Sequence, residues 1–180
     1  MKHPVARRWF GPIAFAWLVS LLLAAVVSPA MARDYRRFII GNPEAPTPGQ
    51  VSPGLLLMGG GDRNFDALRW FLKKSGNGHL VVLRASQGNE VAEEFYRDVG
   101  GIASVETFVF SGPGSSNDPK ILASLAKADG IFIAGGDQSR YVRYWRGTQI
   151  AAILDAHVAA GKPLSGTSAS APTHAAIASS

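Results

Sequence analysis

Along the chain, short apolar runs alternate with segments whose apolar residues recur every three or four positions. The runs 55–58, 79–84, 105–110, 130–134 and 163–165 have strand length and are rich in Leu, Val, Ile and Phe. Gly, Pro, Asn or Asp flank most of them, so five β-strands are predicted. Between them, segment 66–74 places Leu68, Phe71 and Leu72 on one side, and 89–99 places Val91, Phe95 and Val99 four residues apart. Both patterns predict amphipathic helices. Asp118 followed by Pro119 supplies an N-cap and a first-turn proline for a helix to residue 128, and 148–160 stops at Gly161 with Pro163 beyond. Strand and helix therefore alternate, which implies an α/β fold with a mostly parallel sheet covered on both faces.

The pattern changes before residue 55. Pro43, Pro46, Pro48 and Pro53 make 33–54 read as a Pro-rich surface lead-in rather than a packed element. Ahead of it lie Lys2, Arg7 and Arg8, an apolar stretch 9–27, and Ala30-Met31-Ala32, whose small residues suit a signal peptidase. The expected organisation is a signal peptide over 1–32, the lead-in over 33–54 and an α/β domain over 55–180. Export to the periplasm or the cell exterior follows from that reading. The alternative is an uncleaved anchor, since the apolar stretch is long enough to span a bilayer.

Charge adds little beyond this. The net charge is +5, but Lys2, Arg7 and Arg8 belong to the leader and no acid precedes Asp34, which leaves the rest near +2. No nucleic-acid partner is expected, and membrane contact is expected only through the leader if it stays attached. The chain has no cysteine, which excludes disulfides, thiol catalysis and thiolate metal sites. No His and carboxylate pair has ligand spacing, so neither a metal nor another cofactor is expected.

In a parallel sheet the working groups sit on loops after the strands' C-terminal ends. Three loops fit: Gly59-Gly60-Gly61-Asp62, Gly135-Gly136-Asp137-Gln138, and Gly166-Thr167-Ser168-Ala169-Ser170. The first lacks the spacing of a nucleotide-binding loop. In the second, two glycines let a ligand approach the backbone, while Asp137 and Gln138 offer an acceptor and an amide. In the third, Ser168 stands between a strand and small residues, the setting of a nucleophile elbow, with the Ala169 N–H as an oxyanion donor. A bland reading stands beside each, a polar helix cap for Ser168 and a capped turn for Asp137.

Taken together, these loops and the segment Ala128-Asp129-Gly130-Ile131-Phe132-Ile133-Ala134-Gly135-Gly136-Asp137-Gln138 resemble cyanophycinase and aspartyl dipeptidase. The resemblance implies a flavodoxin-like α/β fold related to class I glutamine amidotransferases. It further implies a serine nucleophile at Ser168 and hydrolysis of aspartyl-linked peptides, with a glycine-loop N–H at Gly136 as second oxyanion donor. Gly135, Asp137 and Gln138 would border the substrate pocket. Apart from the resemblance, Arg140, Arg143 and Arg146 follow the second loop at three-residue intervals, a spacing that suits either attraction of substrate carboxylates or a solvated basic face. The expected partner is a peptide, including aspartyl-arginine polymer, and a homodimer is compatible with the sequence.

Two departures from the family pattern stand out. Ser170-Ala171-Pro172-Thr173-His174 follows Ala169 where the family has a glycine and an apolar helix. The family's catalytic His and Glu lie well downstream of the serine, whereas 12 residues follow Ser168 here. The expectation is thus a domain without its C-terminal part, inactive as it stands or surviving as a vestigial binding domain. His79, His157 and His174 read as ordinary histidines. A weaker likeness links Ser165-Gly166-Thr167-Ser168-Ala169-Ser170-Ala171-Pro172 to sedolisins and subtilisin-like proteases. Glu94 and Asp98 could imitate a sedolisin acid pair, although a solvated helix face explains them more simply.

Overall fold

A computed structural model of the chain describes residues 34–85 and 88–168. The leader, Ala169 and His174 lie outside the described residues. Six strands form one sheet: β1 (Tyr35–Gly41), β2 (Leu55–Met58), β3 (His79–Arg84), β4 (Ser104–Phe110), β5 (Gly130–Ile133) and β6 (Leu164–Thr167). Their spatial order is β1-β4-β3-β5-β6-β2, and every pairing is parallel except β1 with β4. This is the mostly parallel α/β sheet that the alternating pattern predicts.

The four predicted helices fold for the local reasons read from the sequence, and a fifth, over Gln138–Trp145, was not predicted. Helix α1 (Phe65–Lys74) starts where the Asn64 side chain accepts the Ala67 N–H at 3.0 Å, and it buries Leu68, Phe71 and Leu72. Helix α2 makes one α-turn (Glu90–Glu93) and continues as a π-turn (Glu94–Val99), burying Val91 and Phe95. Helix α3 (Pro119–Lys127) begins at Asp118, whose carboxylate accepts the Lys120 N–H at 2.8 Å, with Pro119 where no donor is needed. Helix α4 (Gln138–Trp145) is capped by Asp137, and α5 (Gln149–Ala159) ends at Gly161, whose φ of 71° suits a residue without a Cβ.

The stretch 33–54 departs from expectation. Tyr35–Gly41 is a strand of the sheet, running antiparallel along β4 from Tyr35 opposite Phe110 to Gly41 opposite Ser104. Its ring-rich, β-branched sequence has somewhere to pack: Tyr35 is buried and meets Phe108 edge to face at 5.7 Å. The prolines begin only after the strand ends, so the globular unit starts before residue 55.

Each face of the sheet carries a core. Val81, Leu83, Phe108, Phe110 and Ile131 pack under α3, α4 and α5 on one side, while Leu80, Val82, Val105 and Phe132 pack under α1 and α2 on the other. No helix among the described residues is long and apolar enough to cross a membrane.

The two edges of the sheet are unlike. β1 carries the exposed Arg36 and Arg37, the kind of charge that discourages edge pairing. β2 carries none, and Leu55 and Leu57 are 62% and 75% exposed on the α3/α4/α5 side. Replacing Leu57 with Lys is expected to raise solubility and suppress self-association without lowering the melting temperature, as read by analytical ultracentrifugation and thermal melts. A clear loss of stability instead would mean that Leu57 is covered in solution.

Candidate functional site

The connections out of the sheet diverge between β3 and β5. From β3 the chain passes through α2 to β4, on one side. From β5 it passes through α4 and α5 to β6, on the other side and the opposite face. In open α/β sheets a crevice forms at such a point, outside the strands' C-terminal ends.

Registers fix what lies at that end. Met58 of β2 pairs with Thr167 of β6, and Ile133 of β5 pairs with Gly166. Continuing each pairing places Gly59, Ser168 and Gly135 at one level on three adjacent strands. Ser168 is exposed there, and its backbone N–H is anchored on Met58 O at 3.0 Å. Beneath it Ser165 Oγ donates to Leu56 O at 3.0 Å, tying β6 to β2. Gly166 and Thr167, expected in the loop, belong to the strand, so Ser168 is the first residue after it.

The glycine loops on either side leave room. A Cβ on Gly59 or Gly61 would meet no atom within 4 Å, so nothing inside the described protein needs the first loop's surface. Gly136 has φ 148°, which a side chain would strain. Asp137 follows, accepting the Ser139 N–H at 3.0 Å. The Ser139 hydroxyl and N–H hold its carboxyl below the usual carboxylate range, helped by Arg140 and Arg143. Asp137 is therefore both a helix cap and a standing negative charge beside the loop. Gln138, first in α4, is exposed. Arg140 turns partly inward: Nη1 donates to Ala85 O at 3.1 Å and Nε lies 3.6 Å from Asp137 Oδ2.

Arg63 and Tyr141 were not singled out by the sequence. Arg63 follows the first glycine loop and pairs with Glu94 at 3.2 Å. Burial raises the Glu94 carboxyl, Arg63 counters this, and Asp98 adds to the rise. Glu94 is thus a half-buried ion-pair partner within the π-turn rather than part of a solvated face. Tyr141 lies in the crevice between β3 and β5, and its regular spacing before Tyr144 and Trp145 on α4 is the signal that could have exposed it.

The two described histidines do not reach Ser168. His79 opens β3 and bonds Ser104 Oγ at 2.8 Å and Ala45 O at 2.7 Å. His157 donates to Pro163 O at 3.0 Å, just before β6 begins. Both therefore sit at the strand ends opposite Ser168. Two surface clefts also lie at that far end, one of about 530 Å³ beside Trp70 and Lys74 and one of about 320 Å³ beside His79 and Ser104. Among the described residues no cluster of His, Asp or Glu could hold a metal ion.

Burial lowers the pKa of His157 below the ordinary histidine value, with Lys162 nearby acting the same way and the Pro163 bond opposing. The folded state thus resists a proton that the unfolded chain accepts near pH 6.5. The stabilisation is complete above that pH and is lost as pH falls below it. Melting temperature is expected to drop between pH 7 and 5 more steeply in the wild type than in His157→Gln. Parallel profiles would remove His157 as a source of acid sensitivity.

A model of peptidase family S51 matches residues 55–176. The chain belongs to peptidase family S51. No curated protein matches the chain. The family match takes in all three loops and runs beyond Ala169, past the point where the resemblance was expected to fade. It starts at β2, so β1 lies outside it. Membership in S51, the family of cyanophycinase and aspartyl dipeptidase, places the chain among serine-type peptidases and leaves the sedolisin likeness without support.

Proposed function

We propose that this chain is an exported serine-type peptidase that cleaves aspartyl-linked peptides, with Ser168 as the nucleophile. One observation carries the reading: in an S51 chain, an exposed serine directly follows β6, whose last pairs, Thr167 with Met58 and Gly166 with Ile133, set it beside the two glycine loops that leave β2 and β5. In the reaction, Ser168 Oγ attacks the scissile carbonyl carbon and its proton passes to a base. The oxyanion that forms is held by backbone N–H groups, for which Ala169 and Gly136 are the candidates. The C–N bond then breaks, the amine leaves with the proton, and water hydrolyses the ester. Asp137 and Gln138 border the substrate, and Arg140 adds positive charge for substrate carboxylates. The cationic start, apolar stretch and small-residue end of the leader support export.

The test is release of free amine from aspartyl-arginine polymer and from aspartyl dipeptides. Gln138→Ala is expected to raise the half-saturating substrate concentration roughly three- to tenfold, the worth of one hydrogen bond. Equal turnover of peptides without aspartyl linkages would overturn the substrate reading.

A second reading, a binding domain of this fold without turnover, is favoured by the placement of His79 and His157 at the far strand ends. Saturable binding of the same peptides with no amine released would decide for it.

A further inference from the structure

Between the ends of β3 and β5, a side chain takes over where the backbone ladder stops. Ala134 N–H still donates to Leu83 O at 2.9 Å, and beyond that bond the strands separate. There the Tyr141 hydroxyl donates to Ala134 O at 2.5 Å and accepts the Ala85 N–H at 3.1 Å. Its neighbour Arg140 donates to Ala85 O at 3.1 Å. Ala85 and Ala134 are both buried, so their backbone groups need protein partners.

We infer that Tyr141 is a positioning residue that fixes the Gly135-Gly136-Asp137 loop beside Ser168. The inference rests on the reading of Ser168 as nucleophile. The chain leaves β5 at Ala134, makes the two-glycine turn, enters α4 at Asp137 and comes back onto Ala134 through the Tyr141 ring. The loop is thereby closed by a stiff side chain of two torsions, where two successive glycines would otherwise allow wide backbone movement. The second bond, to Ala85, fixes the closed loop against β3. Burial raises the Tyr141 pKa, which keeps the hydroxyl protonated and able to donate. Since Gly135 is level with Ser168, loosening this closure shifts the N–H groups available to an oxyanion, and displacements near 1 Å are costly to a reaction.

Tyr141→Phe tests the role, because it keeps the ring against Trp145 (centroids 4.7 Å apart) and removes the hydroxyl alone. In the full chain, amide exchange at residue 85, whose N–H the Tyr141 hydroxyl holds, is expected to speed up at least tenfold while α3 and β4 are unchanged. Labelling of Ser168 by a small fluorophosphonate, followed by intact mass, is expected to slow at least fivefold at saturation, with the half-saturating concentration unmoved. Leu122→Ala, a core change on α3, serves as the control and should leave both readouts near wild type. Unchanged exchange in Tyr141→Phe, or an equal slowing of labelling in Leu122→Ala, overturns the inference. If the fluorophosphonate settles on a residue other than Ser168, the nucleophile reading falls, and exchange at residue 85 alone then decides the positioning role. Should Tyr141→Phe not fold, exchange in the wild type decides: the residue 85 amide is expected to be protected at least tenfold against its intrinsic rate, and an unprotected amide counts against the proposal.

Discussion

Where a general base is in place, Ser168→Ala is expected to abolish covalent labelling by a fluorophosphonate and to lower turnover by about 10⁴- to 10⁶-fold, the usual cost of removing a catalytic serine. The contrast is sharpest when a base is assured. That is arranged by extending the chain after Ser180 with the His- and Glu-bearing part of another family S51 peptidase. The extended chain should label within minutes and its Ser168→Ala form not at all. The 180-residue chain should label far more slowly, because His79 and His157 are committed to Ala45, Ser104 and Pro163 at the far strand ends. Among the described residues no histidine reaches Ser168 to take its proton, and a serine hydroxyl without such a base is a poor nucleophile near neutral pH, even beside oxyanion donors. Rapid labelling of the 180-residue chain at Ser168 would show that a base is already in place, and His174 would be the first residue to replace.

The parts of this molecule that read well from sequence are those where local chemistry and tertiary packing agree. Asp118-Pro119 starts a helix because the carboxylate caps it and the proline needs no donor there, and Phe95 and Val91 face the sheet as their spacing requires. β1 was hidden because its pairing with β4 spans about 70 residues and nothing nearby announces it, while the prolines that follow suggest loop. The glycine loops and Ser168 were legible as punctuation after strands. Their common level at Gly59, Ser168 and Gly135 was not, since register belongs to the sheet and not to any one segment. Tyr141 was missed for a similar reason. A tyrosine on an apolar helix face reads as core until its hydroxyl is seen bridging Ala85 and Ala134.

Phe132→Ala should be the most damaging single truncation of the core. Phe132 is fully buried at the centre of β5, with the ring of Phe95 edge to face at 4.9 Å and that of Phe71 at 6.3 Å. Removing it opens a cavity between the sheet and helices α1 and α2, and such truncations cost about 3–5 kcal/mol. The lost aromatic pair adds roughly 0.5–1.5 kcal/mol. Against a typical total of about 5–15 kcal/mol, that is enough to leave the chain marginal or unfolded. The effect reaches function as well, since β5 leads into Gly135 and Gly136 and pairs with the strand that Ser168 follows. Urea titration followed by the fluorescence of Trp145, which is buried against Phe110, gives the midpoint shift at constant slope. Phe65→Ala provides the comparison, because that ring is exposed at the start of α1 and its loss should stay within about 0.5 kcal/mol. Equal losses for the two substitutions would mean that the Phe71–Phe95–Phe132 cluster does not carry the stability assigned to it.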